Sequence, residues 1–141
     1  MRVLALDVGE KRIGVAVSDS LGVIATSLTV VHRKSIATDL RVLAALAHQE
    51  AVGLVVVGMP FSLSGAEGPQ ARRVMQFVRA LEGVLPAPVQ LWDERYTTVE
   101  AERLLRERGV KPGKLRERVD AVAAAVLLQE YLDVHRPEKL P

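Results

Sequence analysis

The sequence predicts an α/β fold: one five-stranded mixed sheet, its first three strands antiparallel, with helices on both faces. Three observations carry this. Three β-branched runs follow one another at the start of the chain with short links, which is the signature of an antiparallel meander. The hydrophobic period then changes, and helical and extended segments alternate, which predicts parallel strands joined by helices. The last segment contains AVAAAVLL, Ala121 to Leu128, apolar on every side of a helix and therefore expected to be enclosed.

In chain order, Val3 to Leu6 and Ile13 to Val17 are the first two strands, and Gly9-Glu10-Lys11-Arg12 supplies their turn. A third extended segment runs from about Val23 to Val31 after Gly22. Ile36, Leu40, Leu43, Ala44 and Ala47 recur at helical spacing, and Gly53 then precedes Leu54 to Val57, an unbroken apolar run that reads as a strand buried on both faces. Gly58-Met59-Pro60 is expected to end that strand, and Phe61 to Gly68 reads as a loop. A second helix follows with Val74, Phe77, Val78 and Leu81 inward, and Pro86-Ala87-Pro88 introduces a short strand, Val89 to Trp92. Thr97 to Glu100 fits a capping box, so a helix should start near Thr98 and stop at Gly109 and Pro112. The final helix is expected from Lys114 or Leu115 to Asp133, with a frayed tail over 135–141. No repeat or linker divides the 141 residues, a length suited to one domain over 1–141 with its own core.

Composition excludes several function classes. With no cysteine, disulfides, thiolate catalysis and cysteine zinc sites are impossible, and His32, His48 and His135 are too scattered to suggest a metal site. No apolar run approaches the roughly 18 residues that span a bilayer. The N-terminus enters strand-like sequence at once, without a signal-peptide pattern, so no membrane partner and a cytoplasmic location are expected. The net charge is only +2, but between Arg103 and Arg118 seven bases stand against two acids, a segment able to attract a polyanion.

Three acids occupy places where a structural role would usually choose another residue: Asp7, Glu94 beside Asp93, and Asp120. Taken singly, Asp7 reads as a turn former, Asp93 and Glu94 as an acidic flank to a helix start, and Asp120 as a helix-dipole or ion-pair residue near Arg116 and Arg118. In a parallel α/β arrangement, however, the carboxyl ends of the strands share one edge of the sheet, where ligands bind. Asp7 and Glu94 would share that edge, with the last helix carrying Asp120 towards them. Convergent carboxylates repel unless a cation neutralises them. Oxygen-only ligands point to Mg²⁺ or Mn²⁺, and two such ions can drive phosphodiester hydrolysis. Lys11, Arg12 and Arg95 would flank the acids where a phosphate could approach.

These segments are also recognisable together. LALDVGEKRIGVAVSD, VVVGMPFSLSGAEGPQA, LWDERYTT and RVDAVAAAVLLQEYL resemble, in order and over nearly the whole chain, the motifs of the YqgF/RuvX family of Holliday-junction resolvases or pre-16S rRNA nucleases. The resemblance implies an RNase H-like fold and carries Asp7, Glu94 and Asp120 over as metal ligands and catalytic acids. It leaves open whether Asp93 or Glu94 faces the site. Some related nucleases have a fourth acid one turn from the third on the last helix. Here Ala123 and Ala124 occupy that turn, and Asp19 is no evident replacement. The loop from Pro60 to Gly68 resembles the family's glycine-bearing loop, with Ser62 and Ser64 placed to contact phosphate.

The leading expectation is a metal-dependent endonuclease acting on structured nucleic acid. Precursor rRNA is the first substrate and branched DNA, a Holliday junction, the alternative; a single-strand cut needs only a monomer, whereas a two-fold symmetric junction favours a homodimer. A non-catalytic RNA-binding module using the Arg103 to Arg118 segment is the competing class. An actin-like nucleotide-binding fragment, suggested by the Asp-x-Gly opening, lacks the second lobe that would close over ATP.

Overall fold

The structure, a computed structural model, describes residues 1–60, 68–93, 103, 106–109 and 112–135, and of 112–121 only the backbone. Strands β1 (Arg2–Val8), β2 (Arg12–Ser18) and β3 (Ala25–His32) are followed by α1 (Ile36–Gln49), β4 (Val52–Met59), α2 (Pro69–Glu82), β5 (Val89–Asp93) and α3 (Pro112–His135). The sheet order is β3-β2-β1-β4-β5. β1 pairs antiparallel with β2, and β2 with β3, while β1, β4 and β5 run parallel. The meander and the parallel half therefore meet at β1. Of the helix expected from Thr98, residues Arg103, Arg106 and Glu107 are helical, and an i,i+4 pair joins Arg103 to Glu107 at 2.8 Å; its start lies outside the described residues.

Strand pleating sorts the core into two layers. Leu4, Leu6 and Val8 of β1, with Ile13, Val15, Val55, Val57 and Met59, pack against Leu43 of α1 and Val74, Phe77 and Leu81 of α2. Val3, Ala5, Ala16 and Val56 point the other way, against Ala124, Leu127, Leu128 and Tyr131 of α3. Both faces of β1 and β4 are thus covered, which is why these strands read as continuous apolar runs rather than alternating ones. Leu127 and Leu128 are fully buried, each contributing about 1.5–3 kcal/mol of transfer free energy. Small residues on the α3 side, Ala5, Ala16 and Ala124, let that helix approach the sheet closely.

Several boundaries differ from expectation for identifiable reasons. β3 starts at Ala25 rather than Val23, because Asp19 Oδ1 accepts the Val23 and Ile24 N–H groups at 2.7 and 2.9 Å and holds them in a turn. β4 continues through Gly58 and Met59, which pair with Trp92 and Asp93 of β5; the glycine lies within the strand instead of ending it. α3 begins at Pro112, whose missing N–H costs nothing in a first helical turn. His135, expected in the frayed tail, closes α3 with its ring stacked on Tyr131, centroids 4.0 Å apart. On α1, Ile36 is exposed, while Asp39 is buried and Leu43 and Ala47 take the core positions.

Asp19 sits just beyond the carboxyl end of β2, at the opposite edge of the sheet from Asp7, and its carboxylate is used by the turn. The Ile24 and Val23 N–H groups hold its carboxyl below the ordinary 3.8. A carboxyl depressed in the folded state stabilises above its unfolded pKa and loses that contribution as pH falls through the folded value. Asp19→Ala is therefore expected to lower the melting temperature at pH 7 and to converge on the parent as pH drops below 3.8. Thermal melts from pH 7 to pH 2.5 check this, and a gap that widens on acidification would refute it.

Candidate active site at the carboxyl edge of the sheet

β1, β4 and β5 all end at one edge, so the sheet places the last residues of three parallel strands side by side. Asp7 is the penultimate residue of β1, half-buried between the fully covered Leu6 and Val8. Alternation puts its side chain on the face of Val3 and Ala5, the face that α3 covers. Its direct partner on β2 is Gly14. On the other side, Leu6 is level with Val57, so the next step along the parallel ladder sets Asp7 beside Gly58. A glycine therefore stands on each neighbouring strand, and no side chain from either crowds the carboxylate on that face. Glycine within a strand weakens packing and marks a place where something approaches the backbone closely. Neither Gly14 nor Gly58 was singled out by sequence spacing as part of a site, because their meaning depends on register.

The acid pair at the end of β5 separates by face. Trp92, level with Gly58, packs with the α3 layer, its ring edge-on to Tyr131 at 5.5 Å. Val89 belongs to the α1/α2 layer. Asp93, four residues on in the same strand, shares the Val89 side, opposite to Asp7. Two strand spacings, about 10 Å, separate the Asp7 and Trp92 backbones. The Tyr131 hydroxyl donates to Gln90 Oε1 at 2.9 Å and, with Trp92 and His135, ties α3 to β5; burial pushes the Tyr131 phenol above its ordinary 10.0.

The backbone of α3 runs back towards the edge that carries Asp7. Gln129 is fixed at the opposite end of the sheet, where its side-chain amide accepts from the Ala25 N–H and donates to the Val23 carbonyl, each at 2.9 Å. Asp120 stands nine residues earlier, a rise of about 13 Å, the same as four strand residues and hence the span from Val3 to Asp7. Ala123 and Ala124, in the turn after it, are buried. The side chain of Asp120 and the whole of Glu94, Arg95, Ser62 and Ser64 lie outside the described residues. Among the described residues no three His, Cys, Asp or Glu side chains form a group able to hold a metal ion.

Lys11 and Arg12 belong to the hairpin turn at the same edge. Gly9 closes that turn by donating its N–H to the Arg12 carbonyl at 2.8 Å, and a Cβ on Gly9 would lie 2.8 Å from the same oxygen, so only glycine fits. Both bases line a groove of about 1070 Å³ on the α1/α2 side of the sheet, together with Arg33, Lys34 and Arg73. Arg33 is its anchor: its guanidinium reaches Asp39 Oδ2 at 3.3 Å, donates to the Gly9 carbonyl at 2.9 Å and lies 4.9 Å over the Phe77 ring. Asp39 also accepts the Lys34 N–H at 3.0 Å, which explains a carboxylate buried at 2% exposure. Sequence periodicity missed this pair because Asp39 occupies an inward position that apolar spacing does not mark.

The fold is that of RNase H-like resolvases. RuvC of T. thermophilus, solved in complex with a Holliday junction substrate, superposes with a TM-score of 0.61 at 18% identity, covering 99% of each chain. The fowlpox virus Holliday junction resolvase gives a TM-score of 0.57 at 13% identity over 95% of this chain and 99% of its own. The family model RuvX, described as Holliday junction resolvase, matches residues 1–134, and the chain belongs to that family. Proteins carrying the name "Putative pre-16S rRNA nuclease" are 49% identical in Syntrophus aciditrophicus (strain SB), over 100% of this chain and 94% of the relative, and 47% identical in Chloroflexus aggregans, over 95% and 94%. Family and relatives together indicate a phosphodiester-hydrolysing enzyme. No helix among the described residues is long and apolar enough to cross a membrane.

Proposed function

We propose that the chain is a metal-dependent endonuclease that cuts structured nucleic acid in the cytoplasm, with the 5′ end of precursor 16S rRNA as its substrate. The observation that carries the reading is Asp7: a half-buried carboxylate at the carboxyl end of a central strand, with glycine on both neighbouring strands. A half-buried strand-end carboxylate flanked by glycine on the neighbouring strands suits a hard, oxygen-binding cation such as Mg²⁺ or Mn²⁺. Asp7, Glu94 and Asp120 would hold it. Asp93, on the opposite face from Asp7, is the poorer ligand of the adjacent pair, which favours Glu94. When bound, the ion supplies positive charge to the attacked phosphate and lowers the pKa of a bound water.

The protein's own contribution is placement. α3, tied to the sheet through Gln129 and Tyr131, would hold the Asp120 turn towards the edge that carries Asp7. Arg95, Ser62 and Ser64 would contact phosphates flanking the cut, and Lys11 and Arg12, at the hairpin tip, a phosphate where the strand leaves that edge. Purified protein should cleave a precursor-rRNA fragment in Mg²⁺ or Mn²⁺, and excess EDTA should stop cleavage, with recovery when metal is restored. Gel assays run beside a DNA four-way junction decide the substrate: faster cutting of the junction would replace rRNA maturation with junction resolution, and undiminished cutting in EDTA would end the metal assignment.

A further inference from the structure

The groove beneath the β1–β2 hairpin lies on the face of the sheet opposite to Asp7. Val8, next to Asp7 in the chain, lines it, so the proposed acid site and the groove are separated only by the hairpin and the thickness of the sheet. Five bases, Lys11, Arg12, Arg33, Lys34 and Arg73, line it against two acids, Glu10 and Asp39, and Asp39 is occupied by Arg33. The bases come from four places in the chain: the hairpin turn, the start of β2, the segment after β3, and the first turns of α2. Lys11, Lys34 and Arg73 are exposed, and Arg33 lies over Phe77. Such a concave, basic, open-sided groove is suited to a phosphodiester backbone, whose affinity comes from neutralised phosphates.

We propose that this groove is a second phosphate-binding track, in which Lys34 and Arg73 hold a part of the nucleic acid that has crossed the hairpin from the cleavage edge. The strand would straddle the tip formed by Gly9 to Arg12, the scissile phosphate on the α3 side and a more distant phosphate on the α1/α2 side. This rests on the nuclease reading for the identity of the polyanion but not for the binding itself. Lys34 can be changed without disturbing the groove's frame, because the Asp39 contact uses its backbone N–H rather than its side chain, and Arg73 is exposed on α2.

The test measures binding of a fluorescein-labelled precursor-rRNA fragment by anisotropy, in EDTA, from 50 to 300 mM KCl. The full-length Asp7→Asn protein is compared with the same protein also carrying Lys34→Ala and Arg73→Ala. Loss of two phosphate contacts should weaken binding about tenfold at low salt and reduce the slope of log K against log salt by about 1.5. Lys34→Arg with Arg73→Lys should restore both. Arg41→Ala with Arg79→Ala, exposed bases on α1 and α2 but outside the groove, should leave the slope unchanged. An unaltered slope in the Lys34/Arg73 variant, or an equal loss in the Arg41/Arg79 control, overturns the proposal. Failure of the parent protein to cleave, with the groove effect intact, would instead refute the nuclease reading and leave the track standing.

Discussion

Asp7→Asn is expected to lower the cleavage rate by about three orders of magnitude or more and to leave the melting temperature nearly unchanged. Asparagine keeps the shape of the side chain and removes the charge that would hold a divalent ion. The several kcal/mol that an ion contributes to stabilising developing charge corresponds to about a thousandfold in rate. The fold should tolerate the change because asparagine matches aspartate in size and the adjacent core residues, Leu6 and Val8, point to the other face. Glu94→Gln and Asp120→Asn should behave like Asp7→Asn. Asp93→Asn, on the opposite face, should stay within a few-fold of the parent. Single-turnover cleavage with saturating Mn²⁺, beside thermal melts, makes the comparison. Full activity in Asp7→Asn, or a loss in Asp93→Asn as deep as in Glu94→Gln, would break the proposed ligand set.

That contrast between adjacent acids shows where sequence reasoning stopped. The order of strands and helices was legible because hydrophobic period and turn residues are local: Gly9 must close a hairpin, and the spacing of Val74, Phe77, Val78 and Leu81 can only be one face of a helix. The three acids were legible as exceptions to local expectation and through family motifs. Which of Asp93 and Glu94 shares a face with Asp7 was not, since it depends on Gly58 remaining within β4 and on how β5 pairs with it. The same holds for the two glycines beside Asp7, which lie 7 and 51 residues away in the chain and become neighbours only through register. Asp39 failed for a related reason. An inward carboxylate is excluded by hydrophobic patterning unless its partner is known, and Arg33 reaches it from the segment before α1. The basic groove is likewise assembled from bases that no single window of sequence contains.

Arg33→Met is expected to be the most destabilising single change among the polar residues of the groove, by about 3 kcal/mol, or about 10 °C in melting temperature for a chain of this length. The substitution keeps much of the aliphatic contact over Phe77 but removes the guanidinium. Asp39, whose side chain is only 3% exposed, would then retain the Lys34 N–H and lose its positive partner. Most of the cost is that stranded carboxylate rather than the lost attraction, because a buried ion pair regains little net energy over its own desolvation. The distinction is measurable: Arg33→Met with Asp39→Leu should recover most of the loss, as both charges leave together. Chemical denaturation of the two variants and of Arg41→Met, an exposed arginine on α1, separates the cases. If Arg33→Met costs no more than Arg41→Met, the pair is not a support of the fold. If the double variant is as unstable as the single, the energy resides in the bond from Arg33 to the Gly9 carbonyl. That bond ties the hairpin to the segment before α1, so the tip bearing Lys11 and Arg12 would owe its position to an arginine outside it.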